Sequence, residues 1–228
     1  SAVRPGDLGA TEYTLVTIVV DVTGSVFSFK AELLEALKAI VKGCAKSPRA
    51  ENLLIRIVAF NSEIGIEELH GFKLLSMIDI NNDYKDFDPD GMTNLWEATY
   101  ESIGSMLTYS KNLIDQDFGV NGAIYIITDG CNNVTNYATP TLIKQLLEDT
   151  RRKEDVIESL ITILIGVNIG RYSSELDKFK NDSGLTQYVD IGDATPQKLA
   201  KLAAFVSKSV SSQSQSLGTG SASQPLGF

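Results

Sequence analysis

Histidine is almost absent from this chain: His70 is the only one among 228 residues. A single imidazole cannot build a multi-histidine zinc site and leaves no spare base for a Ser-His-Asp arrangement. His70 itself reads as a solvated residue at a strand end. Cysteine is nearly as scarce. Cys44 falls in an apolar helical pattern and Cys131 just after a strand; two thiols make no disulfide framework, so a reducing, cytoplasmic setting is expected. Basic charge is outnumbered, with 20 Lys and Arg against 29 Asp and Glu for a net charge of -9. That balance disfavours nucleic acid and anionic membrane surfaces as partners. The sequence has no apolar run of about 18 residues and no basic N-terminal segment followed by a hydrophobic stretch, so neither a membrane span nor an export signal is expected. The glycine-rich phosphate loops of nucleotide sites are missing as well.

What the chain does have is apolar content, 43% of residues, enough for one buried core. Leu15 to Val20, Leu53 to Phe60, Ala123 to Thr128 and Leu160 to Val167 are short runs rich in Val and Ile, the pattern of parallel strands buried on both faces. Tyr188 to Ile191 adds a short final strand. Between them apolar residues recur at helical spacing: Phe29, Leu33, Leu37, Ile40 and Cys44; Leu95, Thr99, Ile103 and Met106; Leu142 with Leu146; and Leu199, Leu202, Val206 and Val210. Strands alternating with helices predict an α/β, doubly wound, Rossmann-like sheet with helices on both faces. Ile64 to Leu69 follows its preceding strand too closely for a helical crossover, so it is expected as one antiparallel edge strand. The reading divides the chain into an N-terminal extension over 1–12, one domain over 13–210 and a flexible tail rich in Ser, Gly and Gln over 211–228.

Five oxygen-bearing side chains stand where such a sheet places its ligands. Asp21-Val-Thr23-Gly-Ser25 follows the first strand directly, Asp129 ends another central strand in Ile-Thr-Asp-Gly, and Thr93 precedes a helix. In open α/β sheets the crevice beyond the carboxyl ends of the strands is the binding site. Oxygen ligands without imidazole or thiolate suit Mg²⁺, and also Mn²⁺ or Ca²⁺, better than zinc or copper. Asp, Thr and Ser are also favoured helix N-caps. That alternative accounts for Asp21, Thr23 and Ser25 taken alone, but not for Thr93 and Asp129.

Asp21-x-Thr23-x-Ser25, then Thr93, then Asp129-Gly130 resembles the metal-ion-dependent adhesion site, or MIDAS, of von Willebrand factor A domains, with a likeness running from about Tyr13 to Val210. The resemblance implies that Ser25, Thr23 and Thr93 contact a divalent metal and that Asp21 and Asp129 hold it directly or through water. It further implies a protein-interaction module rather than an enzyme, with a partner protein supplying an acidic side chain to the metal. The family usually has serine where this chain has Thr23, which keeps the hydroxyl and adds a methyl. The ending Phe205-Val-Ser-Lys-Ser-Val-Ser-Ser-Gln-Ser is similar to the serine-rich end of bacterial members associated with tellurite resistance and stress response, which implies a bacterial or phage-encoded scaffolding factor.

Two other readings use the same carboxylates. A haloacid-dehalogenase-like phosphohydrolase also has a strand-end aspartate and Mg²⁺, but it needs a second aspartate where Thr23 stands. Asp86-Phe-Asp88-Pro-Asp90-Gly91 followed by Glu97 fits the EF-hand loop pattern formally, and an EF-hand also requires a helix on each side.

Overall fold

The computed structural model describes residues 2–84, 88–152 and 156–228. Its centre is β1 (Glu12–Asp21), in which every residue after Glu12 is buried. The strand is apolar throughout because both faces are covered: Leu15 and Val19 point into one core, Val16, Ile18 and Val20 into the other, the period-two alternation of a strand between two helical layers. β1 pairs in parallel with β2 (Leu53–Asn61) on one side and with β4 (Gly119–Thr128) on the other. β5 (Leu160–Gly166) and β6 (Gln187–Asp190) continue the parallel array. At the opposite edge β3 (Gly65–Leu74) runs antiparallel to β2, giving the order β3-β2-β1-β4-β5-β6. Asn61 Oδ1 accepts from the N–H groups of Glu63 and Ile64, and Gly65 takes a φ of +66°, so the chain reverses within a few residues. The edge strand expected over Ile64 to Leu69 is therefore present and runs on to Leu74.

Helix α1 (Lys30–Cys44) and helix α5 (Pro196–Thr219) cover one face, burying Leu33, Leu37 and Ile40 with Leu199, Leu202 and Val206. They pack closely at Gly43, where an added Cβ would lie 2.7 Å from Ser207 Cβ; only glycine tolerates that approach. The other face carries α2 (Leu95–Ile114), α3 (Pro140–Arg152) and α4 (Ser173–Ser183). The sequence reading has no counterpart for α4. Its buried residues are only Leu176, Phe179 and Ser183, too few to print a periodic stripe. No helix among the described residues is long and apolar enough to cross a membrane.

At two places the structure departs from what composition suggests. Within the stretch set apart as a tail over 211–228, α5 continues to Thr219, ends on Gly220 at a φ of +66°, and buries Gln213, Ser214 and Leu217. Low apolar content predicts disorder for a segment by itself, but these polar residues meet buried polar partners. Tyr125 Oη donates to Ser209 Oγ at 2.8 Å, Asn121 Nδ2 to the Gln213 carbonyl at 2.9 Å, and Arg49 Nε to Ser214 Oγ. Residues 221–228 then fold back along α5: the Gln224 carbonyl accepts from Gln213 Nε2, and the Phe228 ring packs on Phe205. His70 is likewise buried, not solvated. It lies within β3, with Nδ1 on the Gly71 carbonyl and Nε2 2.9 Å from Tyr84 Oη, and burial lowers its pKa.

Candidate metal centre

The strand order places the switch point of the sheet between β1 and β4, since the chain turns from β1 outward to β2 on one side and β4 on the other. Adjacent parallel strands that send their connections to opposite faces open a crevice at their carboxyl ends. Asp21 is the last residue of β1, and Asp129 follows the last residue of β4. Both carboxylates therefore come to that crevice on rigid elements.

Behind Asp21 the chain does not enter α1 at once. A 3-10 stretch, Gly24–Phe29, intervenes, and no side chain caps it or α1, so the N-cap account of Asp21, Thr23 and Ser25 fails. Asp21 Oδ1 instead accepts from the Thr23 N–H at 2.9 Å, which turns the loop so that Thr23 Oγ1 and Ser25 Oγ stand 3.1 Å apart. Ser25 Oγ donates to Asp129 Oδ1 at 2.9 Å. Thr128 Oγ1 donates to Asp21 Oδ2 at 2.6 Å. Four of the five candidate residues thus form one continuous hydrogen-bonded chain.

Thr93 joins through its backbone. Its N–H donates to Asn133 Oδ1 at 2.7 Å and its carbonyl accepts from the Asn133 N–H at 2.9 Å, clamping it to the loop that follows Asp129. Its hydroxyl faces Gly130, where an added Cβ would stand 3.7 Å from Thr93 Oγ1. The loop before Thr93 is also tied to the first one, with the Asp90 N–H donating to the Val22 carbonyl. Asn132 Oδ1 accepts from the Trp96 N–H, and Glu97 Oε1 from the N–H groups of Asn136, Tyr137 and Ala138. Thr128, Asn132 and Asn133 are the supporting residues that sequence reasoning missed, and Glu97, singled out there as an EF-hand ligand, serves here as a loop support. The two asparagines stand together just past Asp129, and that was the only signal available.

Asp21 is 1% exposed and Asp129 9%. Burial raises the Asp21 pKa. Burial first, and then the neighbouring Asp21 charge, push Asp129 up to about 6. Two desolvated carboxylates, one of them raised further by the charge of the other, have no positive partner among the ion pairs of the described residues. The hydroxyls of Thr23, Ser25 and Thr93 complete an all-oxygen donor set whose charge one divalent cation would neutralise.

The EF-hand reading is not supported. Asp86 lies outside the described residues. Where an entering helix is required, the described chain has β3 and the three-residue turn Leu75–Met77. Glu97, the would-be bidentate ligand, spends Oε1 on three backbone N–H groups from within α2. Among the described residues no group of three or more His, Cys, Asp and Glu is placed to hold a metal ion; the crevice brings together two carboxylates and neighbouring hydroxyls instead.

No family model matches the chain, and no curated protein matches it in sequence. Solved structures do. Proximal thread matrix protein 1 from the mussel byssus, solved with a zinc-occupied MIDAS motif, is 18% identical with a TM-score of 0.57, over 90% of this chain and 47% of that one. The PilB minor pilin from Streptococcus sanguinis is 17% identical with a TM-score of 0.60, over 89% of this chain and 62% of that one. The ArnB paralog VWA2 from Sulfolobus acidocaldarius is 15% identical with a TM-score of 0.55, over 88% and 45%. The chain spans less than two thirds of the length of each. Likeness at this identity carries the fold: the chain has the von Willebrand factor A fold.

Proposed function

We propose that this chain is a metal-dependent protein-interaction module whose crevice at the carboxyl ends of β1 and β4 is a MIDAS. The observation that carries the reading is the pairing of Asp21 and Asp129, two buried carboxylates joined through the hydroxyls of Thr23 and Ser25, both raised in pKa by burial and Asp129 raised further by the Asp21 charge. A site of that composition fits a hard divalent cation. Ser25, Thr23 and Thr93 would contact it, and Asp21 and Asp129 would hold it directly or through water. Mg²⁺ is the metal the donor set favours, with Mn²⁺ and Ca²⁺ next; the zinc in the byssus protein's MIDAS belongs to that protein. When bound, the ion supplies an electrophilic position for a carboxylate of a partner protein.

The chain's own residues prepare that position. Thr128 and the Thr23 N–H fix both oxygens of Asp21, Ser25 orients Asp129, and Asn133 locks Thr93 to the same loop. Exposed Phe27 and Met92 flank the crevice in sequence, at 66% and 53% exposure, and give a partner apolar surface beside the ion. Binding is favoured over hydrolysis because position 23 carries a hydroxyl bonded to Ser25 instead of a proton-transferring carboxylate. A cytoplasmic setting is supported by two free cysteines. A bacterial or phage stress-response role is supported only by the serine-rich ending.

Calorimetric titration of Mg²⁺, Mn²⁺ and Ca²⁺ into metal-free protein tests the proposal. One site is expected in wild type and in Asp88→Ala, with affinity reduced at least ~100-fold in Asp21→Ala, about 3 kcal/mol, and an unchanged circular dichroism spectrum. Unaltered affinity in Asp21→Ala would sink the assignment. Metal-dependent turnover of a phosphoester, lost in Asp21→Ala, would replace the module with a hydrolase.

A further inference from the structure

Beyond α5 the chain reverses at Gly220, whose φ of +66° closes the helix, and residues 221–228 return antiparallel to it as a strap. Side chains of the sheet and of α5 hold the strap in place. Ser223 Oγ lies 2.6 Å from Ser159 Oγ and accepts from Asn121 Nδ2 at 3.4 Å. Gln213 Nε2 donates to the Gln224 carbonyl at 2.8 Å, and Gln187 Nε2 to the Leu226 carbonyl at 3.0 Å. Leu226 packs against the core that α1 and α5 cover. The Phe228 ring meets Phe205 edge-on, with Lys201 Nζ 4.2 Å from its centroid.

Gln213 is completely buried. Among the described residues its carboxamide and that of Gln187 bond to nothing but the strap, and both Oε1 atoms are left without a partner. A buried amide needs something to bind, and what these two bind is main chain at residues two apart. Backbone carbonyls are common to every chain, so the groove reads an extended backbone, with Leu226 and Phe228 adding side-chain fit. Nothing in those contacts requires the segment to come from the same molecule.

The strap itself is lightly held. Among the described residues no N–H group of residues 222–228 is bonded, and all of the strap except Ser223 and Leu226 is exposed. A segment with so few buried contacts opens at far smaller cost than the whole fold. Its hinge is free to turn, since nothing lies within 4 Å of a Cβ added at Gly220, and a helical φ there would continue α5 outward. Once open, strap and groove each present what the other lacks. Ser-Ala-Ser-Gln-Pro-Leu-Gly-Phe carries no charged side chain, so it approaches a second copy of a chain of net charge -9 without like-charge repulsion. We propose that residues 221–228 exchange between two copies of this chain, each strap seated on Ser159, Gln187, Phe205 and Gln213 of the other, giving a two-fold symmetric dimer. The groove lies toward the amino ends of β4, β5 and β6, so the exchange leaves both metal crevices uncovered.

Shortening the hinge tests the exchange. In a full chain lacking only Gly220 and Ser221, the strap is too short to turn back into its own groove but still reaches a neighbour's. Sedimentation should then show a dimer that dissociates at a concentration at least tenfold lower than wild type, and adding Gln213→Ala or Phe228→Ala should undo the gain. A shortened chain with an unchanged circular dichroism spectrum and no tighter dimer would overturn the proposal, as would a dimer indifferent to Phe228→Ala. Should the shortened chain not fold, two full-length variants in a Cys131→Ser background, Ser159→Cys and Ser223→Cys, are mixed and oxidised instead. A disulfide joining positions 159 and 223 of different chains is expected at least tenfold above links between like positions. Links between like positions alone would overturn the exchange.

Discussion

Toward the amino ends of the strands, the buried polar groups of one network are neutral and mostly paired within the chain, Gln213 Oε1 being the exception. Asn121 Oδ1 accepts from Thr14 Oγ1 at 2.7 Å while its Nδ2 donates to the Gln213 carbonyl, and Tyr125 meets Ser209. At the carboxyl ends the buried groups are charged and alike: Asp21 and Asp129 share one hydroxyl-lined crevice. Both regions bury polarity in the same fold, but the first closes nearly all of its hydrogen bonds within the chain whereas the second sets two carboxylates side by side. A satisfied polar network holds structure together. A like-charged pair stores an unmet demand, and that difference separates scaffold from site more sharply than burial does.

The largest test of the comparison removes the matched side. Deleting residues 211–228 strips Asn121 of its Gln213 partner and removes the buried Leu217. Unfolding free energy in urea should fall by about 5 kcal/mol or more. A truncated chain with wild-type stability would mean the segment is ornamental.

The next test acts on the charged side. Asp129, pushed up to about 6 in the fold, has an ordinary carboxyl pKa near 3.9 once unfolded. Between those values the folded state keeps a proton the unfolded state has lost, so metal-free stability falls as pH rises through about 4 to 6, by on the order of 2 kcal/mol. Asp129→Asn should reduce that slope, the remainder coming from Asp21, which burial also raises, and saturating Mg²⁺ should flatten it in wild type. Thermal melts across the window decide; a slope of opposite sign would contradict the unmet charge.

The smallest effect is expected at Thr23. Its hydroxyl bonds Ser25 Oγ, and its methyl is the family departure. Thr23→Ser should shift metal affinity by less than about threefold and stability by less than about 1 kcal/mol, measured by the same titration and urea curves.

The sheet was legible because both of its faces are covered, which forces unbroken runs of Val and Ile onto β1, β2, β4 and β5. Asp21 and Asp129 could be placed side by side in advance because strand ends print their residues at fixed sequence positions; Thr93, which precedes α2, comes beside them through Asn133. Their supports were not legible. Asn132 and Asn133 act through amide oxygens on backbone N–H groups of another segment, and such pairings exist only once two loops have met. Arg56, buried in a strand that reads as apolar, and the serines of α5 failed for the same reason. Composition measures what a segment can do by itself, and these residues are satisfied or left wanting by distant neighbours.

The close approach of α1 to α5 at Gly43 and Ser207 also orders events in time. The two helices that roof one face of the sheet come from opposite ends of the chain, so the first to leave the ribosome waits for the last. At ordinary elongation rates that wait is on the order of ten seconds. Throughout it, the apolar stripe of Leu33, Leu37 and Ile40 has no permanent cover. Synthesis of this protein should therefore depend on chaperones that shield nascent apolar surface, and ribosome-bound chains ending before Pro196 should be far more sensitive to protease than chains that include Phe228.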